Sequence, residues 1–226
     1  MALILHIDTA LEKASVGVSK DGVLLRELTS SVPNAHAAFV QPAIQEVMES
    51  QQIGLERLDA VGVVSGPGSY TGLRVGMASA KGICYALKKP LIGICTLEVM
   101  TCAAIDLFPG FDYYAPMIDA RRMEVFTALY NARLEPRIDP SPVILSPDLF
   151  LDVNSKQKIL CFGSGSSKWE KGQILNKNIS LVDLDYNGIH LAQLFFTFYG
   201  KNNFIDLAYS EPLYLKDFYF RNTEKG

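Results

Sequence analysis

The glycine-rich run SGPGSYTG at residues 65–72 is the part of this sequence that most resembles a chemical site. A glycine-rich turn ahead of a helix can hold an anion with its backbone amides and the helix dipole. The run lacks the Gly-Lys-Ser/Thr ending of a P-loop, and Thr71 stands where a dinucleotide-binding fingerprint needs glycine. We therefore predict a strand-to-helix turn in which Ser69 or Thr71 caps the helix. Arg74, in the first helical turn, leaves contact with an anion open.

The helix predicted to follow this turn carries small residues at regular spacing. Gly72, Gly76 and Ala80 recur every fourth position, and Ser79 and Gly82 widen the same small surface. Residues four apart share one face of a helix. Glycine costs about 1 kcal/mol relative to alanine inside a helix, so its repeated use needs a packing reason. This face either packs inside the chain, against a sheet or another helix, or contacts a partner protein.

Hydrophobic periodicity predicts two successive sets of strands and helices, joined near Pro109 and Gly110. The first set comprises strands at 3–8, 14–19 and 23–28, a helix from His36, a strand at 58–64, a helix at 71–87, a strand at 91–95 and a helix at 97–105. The second comprises strands at 113–118, 124–130, 138–145 and 158–162 and helices near Pro147, Ser167 and Ile189. Asn34 is the expected N-cap of the helix at His36, and Pro42 is expected to kink that helix or to mark a later start.

Composition places the chain among ordinary globular proteins. Of 226 residues, 49% are hydrophobic and 20% charged, and the formal net charge is -3. A protein that held RNA by itself would be expected to show a basic face, and none is evident in the sequence. The four cysteines form no C-x-x-C pair, so we expect reduced core cysteines, no zinc and no other cofactor. Neither a leader nor a membrane span is recognisable, which predicts a cytoplasmic protein.

Two copies of a β-meander followed by alternating helices and strands resemble the actin, sugar-kinase and heat-shock ATPase superfamily. The more specific likeness lies in short motifs. These are residues 5–9 (LHIDT), 14–18 (ASVGV), His36, 65–76 (SGPGSYTGLRVG), 117–126 (MIDARRMEVF) and 212–215 (PLYL). Together they closely resemble the TsaB/YeaZ family of partner proteins in bacterial tRNA threonylcarbamoyladenosine synthesis. The likeness extends over nearly the whole chain.

The resemblance implies where relatives of this chain perform chemistry. Nucleotide-binding members of the superfamily carry Asp-x-Gly-Thr turns that receive phosphate and magnesium, whereas Asp8 and Asp119 here have no such glycine, which favours turn-capping roles. The catalytic relative carries a His-x-x-x-His pair for a metal, but Val40 stands four residues after His36. We therefore expect His36 to have a role at the helix N-terminus or in packing rather than as a metal ligand. The GSGSS run at 163–167 corresponds to an adenosine contact of relatives and is expected to be only a loop and cap.

We therefore predict an α/β protein with the two-lobed actin-like ATPase (ribonuclease H-like) fold, its lobes at 1–108 and 109–226 and its tail able to cross back between them. The resemblance implies a non-catalytic subunit that binds a TsaD-like catalytic subunit, works with a TsaE-like ATPase and meets tRNA through the complex. For the isolated chain, a homodimer and a monomer are both left open. The expected partner interface consists of His36, Phe39, Val40, Gly72, Leu73, Gly76, Met77 and Ala80. An active sugar or acyl kinase is the alternative, and a metal-dependent peptidase is disfavoured.

Overall fold

The computed structural model describes residues 1–32, 35–146, 149–150, 152–153, 155–170 and 177–216. Its first sheet has the strand order β3-β2-β1-β4-β5. The first three strands form an antiparallel meander, while β4 and β5 run parallel to β1. The strands are β1 (Leu3–Asp8), β2 (Ala14–Lys20), β3 (Val23–Ser30), β4 (Ala60–Gly66) and β5 (Leu91–Cys95).

Three helices connect these strands and lead out of the sheet. They are α1 (His36–Ser50), α2 (Tyr70–Leu87) and α3 (Thr96–Leu107), and a short 3-10 turn, Leu55–Arg57, precedes β4. Helices α1 and α2 lie side by side on one face of the sheet, against an apolar cluster that includes Val40, Val47 and Met77. Helix α1 begins at His36 and continues through Pro42, so the later start that Pro42 suggested is wrong. Asn34, the expected cap, lies outside the described residues.

The second sheet repeats the plan of the first. Its order is β10-β9-β6-β7-β8, in which β6, β7 and β8 form the meander and β9 and β10 run parallel to β6. The strands are β6 (Tyr113–Asp119), β7 (Glu124–Asn131), β8 (Pro136–Ile144), β9 (Ile159–Phe162) and β10 (Ile179–Val182). Strand β10 was not predicted from the sequence. Helix α4 (Ser166–Glu170) follows β9, and the helix expected at Pro147 falls at residues outside those described.

The last helix, α5 (Gly188–Gly200), lies on the first sheet, on the face opposite α1 and α2. Phe195 occupies the space beside Gly62, where a Cβ atom would approach its ring within 2.4 Å. After α5 the chain remains on this sheet, and the Ile205 amide donates to the Leu91 carbonyl at 2.9 Å. One apolar cluster contains buried residues of both sheets, so the core is continuous across the predicted boundary at residue 108, and that boundary stays a prediction. Within the described part of the chain, no helix is both long and apolar enough to cross a bilayer.

Candidate functional site

Asp8, the acid that corresponds to a magnesium-ordering residue in nucleotide-binding relatives, is enclosed by the chain itself. The Ala10 amide donates to its Oδ1 at 2.9 Å, and the Tyr186 hydroxyl donates to its Oδ2 at 2.7 Å. Only 2% of the residue is exposed. Burial raises the pKa of Asp8 to about 6, although both hydrogen bonds oppose this rise. Oδ1 therefore caps the β1–β2 turn, which confirms the predicted capping role, while Oδ2 fixes Tyr186 from a remote part of the chain.

Asp119, the corresponding acid at the end of β6, is matched by a cation from α4. The Lys168 ammonium group forms an ion pair with Oδ1, and the Arg121 amide donates to the same oxygen at 2.6 Å. Partial burial acts to raise the pKa of Asp119, but the lysine and the amide outweigh it and hold the pKa below its ordinary value. Lys168 also donates to the Arg122 carbonyl at 2.7 Å. The carboxylate of Asp119 is thus already paired with a cation of the chain itself.

The turn at residues 163–167 is held by hydrogen bonds within the chain. The Ser166 hydroxyl donates to the Gly163 carbonyl at 2.8 Å, and the Gly165 amide donates to the Met117 carbonyl at 2.9 Å. Gly163 has φ +94°, and a Cβ there would lie 2.6 Å from the Met117 carbonyl oxygen. This geometry agrees with the predicted loop and cap ahead of α4.

The glycine-rich run ahead of α2 approaches the backbone of the chain rather than an anion. Ser69 is the N-cap and accepts the Gly72 amide at 3.3 Å, as predicted. A Cβ at Gly72 would lie 2.1 Å from the Thr9 carbonyl oxygen, and one at Gly76 would lie 2.3 Å from Thr9 Oγ1. The Thr9 hydroxyl donates to the Gly72 carbonyl at 2.7 Å. These glycines therefore allow α2 to contact the β1–β2 turn directly.

This packing corrects the expected partner interface. Six of its eight residues are buried in the chain, namely Val40, Gly72, Leu73, Gly76, Met77 and Ala80. Of the two roles left open for this face of α2, the structure shows packing inside the chain, because the small residues bring the helix against the β1–β2 turn and against α1. His36 and Phe39 are half-buried. His36 Nε2 contacts the Leu11 carbonyl at 2.9 Å, so its ring fixes α1 to the same turn, which is the packing role predicted for it.

The prediction that Gly82 widens the surface of Gly72, Gly76 and Ala80 is wrong, because Gly82 lies on the exposed outer side of α2. Ala78, Gly82 and Tyr85 are exposed at helical spacing, and Tyr85 retains 79% of its accessible surface. A Cβ at Gly82 would meet nothing within 4 Å, so no close approach among the described residues requires this glycine. Beside it, the Gln41 amide of α1 donates to the Ser79 hydroxyl at 3.0 Å and ties the two helices together. We call Ala78, Gly82 and Tyr85 the outer α2 face.

The chain that follows α5 holds the start of α2. The Leu213 amide donates to the Ser65 carbonyl at 2.7 Å, and Arg74 Nε donates to the Tyr214 hydroxyl at 3.1 Å. The Arg74 guanidinium group also lies 4.0 Å from the centre of the Tyr70 ring. Arg74, left open as an anion contact by the sequence, is therefore positioned by two tyrosines. Sequence reasoning also missed Tyr186 and Lys168, because each reaches its acid from a remote part of the chain.

Comparison with known proteins decides the family. A family model described as "TsaD: tRNA N6-adenosine threonylcarbamoyltransferase" matches residues 28–146, more than half of the chain. The chain belongs to this TsaD family. Among its relatives is "tRNA threonylcarbamoyladenosine biosynthesis protein TsaB" of Haemophilus influenzae, 28% identical over 95% of this chain and 93% of that protein. The Escherichia coli protein of the same description is also 28% identical, over 95% of this chain and 94% of the relative.

The fold of this chain is shared with a solved structure. "YeaZ from Pseudomonas aeruginosa" superposes with a TM-score of 0.78 over 95% of this chain and 100% of that one, at 23% identity. The resemblance to TsaB/YeaZ inferred from the motifs is thus confirmed. The two sheets of like topology and this superposition also confirm the predicted α/β fold, with two mixed sheets flanked by helices.

Proposed function

We propose that this chain is a non-catalytic partner protein in tRNA threonylcarbamoyladenosine biosynthesis, which binds and positions a TsaD-like catalytic subunit. Membership of the TsaD family and the near full-length similarity to TsaB proteins support the pathway. A TsaE-like ATPase and tRNA join through the complex. We propose the cytoplasm as its location, where tRNA is modified.

The observation that carries the non-catalytic assignment is the state of the two acids. Tyr186 and the Ala10 amide take both oxygens of Asp8, and Lys168 neutralises Asp119. Transfer of a phosphoryl group needs acids that order magnesium and backbone amides that face phosphate. Here the acids are used in the chain's own hydrogen bonds and ion pair. This arrangement also argues against a sugar or acyl kinase.

We propose the outer α2 face, together with His36 and Phe39 at the start of α1, as the partner surface. Gly82 costs helix stability, and among the described residues no contact requires it, which favours a close approach by another protein. Tyr85 offers a large exposed ring, a residue type that often contributes most to binding at interfaces. The same surface can pair two copies of the chain when the catalytic subunit is absent.

The test is co-purification with the catalytic subunit of the same organism, followed by a threonylcarbamoyl transfer assay with and without this chain. Transfer should depend on the chain. Tyr85→Glu should weaken the complex at least tenfold, whereas Val23→Glu, at a residue 65% exposed on the β3 edge, should leave it intact. Transfer at the full rate without the chain would refute the proposed function. Equal binding by both variants would refute only the surface.

A further inference from the structure

The loop between β6 and β7 places two arginines in an unusual backbone conformation. Arg121 has φ 70° and Arg122 has φ 50°, so both lie in the left-handed region. Residues other than glycine, asparagine and aspartate adopt this region only at a steric cost. Both side chains are exposed. A loop of this shape would form more readily with other residues, so the arginines need a reason outside the fold.

The charges around this loop leave the two arginines in excess. Lys168 pairs with Asp119, and Lys216 pairs with Glu124, so each nearby carboxylate already has its own lysine. Within the described part of the chain, neither arginine side chain makes a hydrogen bond or ion pair. Among these described side chains, positive charges therefore exceed negative ones by two, although the whole chain carries -3.

Hydroxyl groups extend the same surface. Ser164 Oγ accepts the Asp119 amide at 3.1 Å, which leaves its own proton available to an outside acceptor. Ser167 lies next to it, and its hydroxyl contacts the Ser164 carbonyl at 3.3 Å. Both serines are exposed. Two guanidinium groups beside serine hydroxyls form a donor set suited to phosphate oxygens, since arginine binds phosphate through two parallel hydrogen bonds.

We propose that Arg121 and Arg122 contact the phosphodiester backbone of RNA, with Ser164 as an additional donor. The proposal rests on the proposed function, because the complex brings tRNA to this chain. A net charge of -3 and a patch of this size are too weak to hold RNA alone, so the contact adds to those of the catalytic subunit. Its contribution is independent of base sequence, because it involves phosphates rather than bases.

The test measures tRNA binding by the complex of this chain with its catalytic subunit over a series of KCl concentrations. Arg121→Asn with Arg122→Asn removes both charges and places residues that tolerate left-handed backbone. We expect roughly tenfold weaker binding at low salt, and a slope of log K against log salt that is smaller by about 1.4 to 1.8, for two lost phosphate contacts. The KM for tRNA should rise by the same factor.

Two further variants control for charge and geometry. Lys88→Asn with Lys201→Asn removes two exposed lysines elsewhere, one of them also at a left-handed position, and should change neither affinity nor slope. Arg121→Lys with Arg122→Lys keeps the charge but loses the paired hydrogen bonds, so it should restore most of the slope and only part of the affinity.

The possible outcomes distinguish the RNA contact from the proposed partner function. Unchanged tRNA affinity and slope in the asparagine variant, with the complex intact, would overturn the RNA contact alone. Loss of the complex in that variant would show that the loop binds protein, and it too would overturn the contact. A wild-type chain that forms no complex and supports no transfer would overturn both proposals.

Discussion

Asp8→Asn should stabilise the folded chain at neutral pH, even though it alters the residue most like a catalytic acid. The pKa of Asp8 rises from 3.8 to about 6 on folding, mainly through burial. At about 1.4 kcal/mol for each pH unit, burying the ionised form costs about 3 kcal/mol. Asparagine avoids this cost and can still accept the Ala10 amide. The Tyr186 hydroxyl must turn from donating to accepting, so we expect a gain of about 1 to 2 kcal/mol.

The pH dependence is the sharper part of this prediction. The folded state of the wild-type chain holds a proton on Asp8 that the unfolded state releases between pH 3.8 and about 6. This group therefore makes the wild-type chain less stable as pH rises through that window, and its effect is constant above it. Urea unfolding of both chains at pH 4, 5, 6 and 7.5 would measure the difference. A variant less stable than wild type at pH 7.5, or an advantage that does not grow between pH 4 and 6, would refute the reasoning.

Three other predictions concern His6, two glycines of α2 and a strain that lacks the protein. The His6 ring has no hydrogen-bond partner among the described residues, and burial lowers its pKa to about 3, so the folded chain loses stability as the pH falls below about 6.5. Between pH 7 and 5, His6→Leu should therefore lose about 2 kcal/mol less stability than wild type in urea titrations, and equal losses would contradict this. Gly76→Arg should lower the free energy of unfolding by about 3 kcal/mol or prevent folding, and a stable variant would count against the packing at Thr9. Gly82→Arg should fold and melt like wild type, yet fail to bind the catalytic subunit in size-exclusion chromatography. A strain without this protein should lose threonylcarbamoyladenosine from its tRNA by mass spectrometry, and Asp8→Asn should restore it; failure of a stable variant to restore it would point to a chemical role for the carboxylate.

Much of the fold could be predicted from local patterns. Alternating strands, the Gly-Pro-Gly turn and the helical spacing gave all five strands of the first sheet and the capped start of α2. Strand β10 was missed because its four residues lack clear alternation, and only their parallel pairing with β9 makes them a strand. For Asp8 and Asp119, the sequence showed only that the glycine of a phosphate-binding turn is missing. It gave no local sign that Tyr186 donates to Asp8 or that Lys168 pairs with Asp119.

The sequence by itself determined that α2 has small residues at fixed spacing, because helical periodicity is a local property. It could not determine which small face is buried, since Gly76 and Gly82 look alike in a list of residues. The tertiary structure decided that Gly76 meets Thr9 and that Gly82 meets nothing, because this depends on where a turn some 67 residues earlier comes to lie. The same holds for Asp8, whose partner Tyr186 is 178 residues away. Residue type shows which contacts a position can make, and only the folded chain shows which contacts it has made.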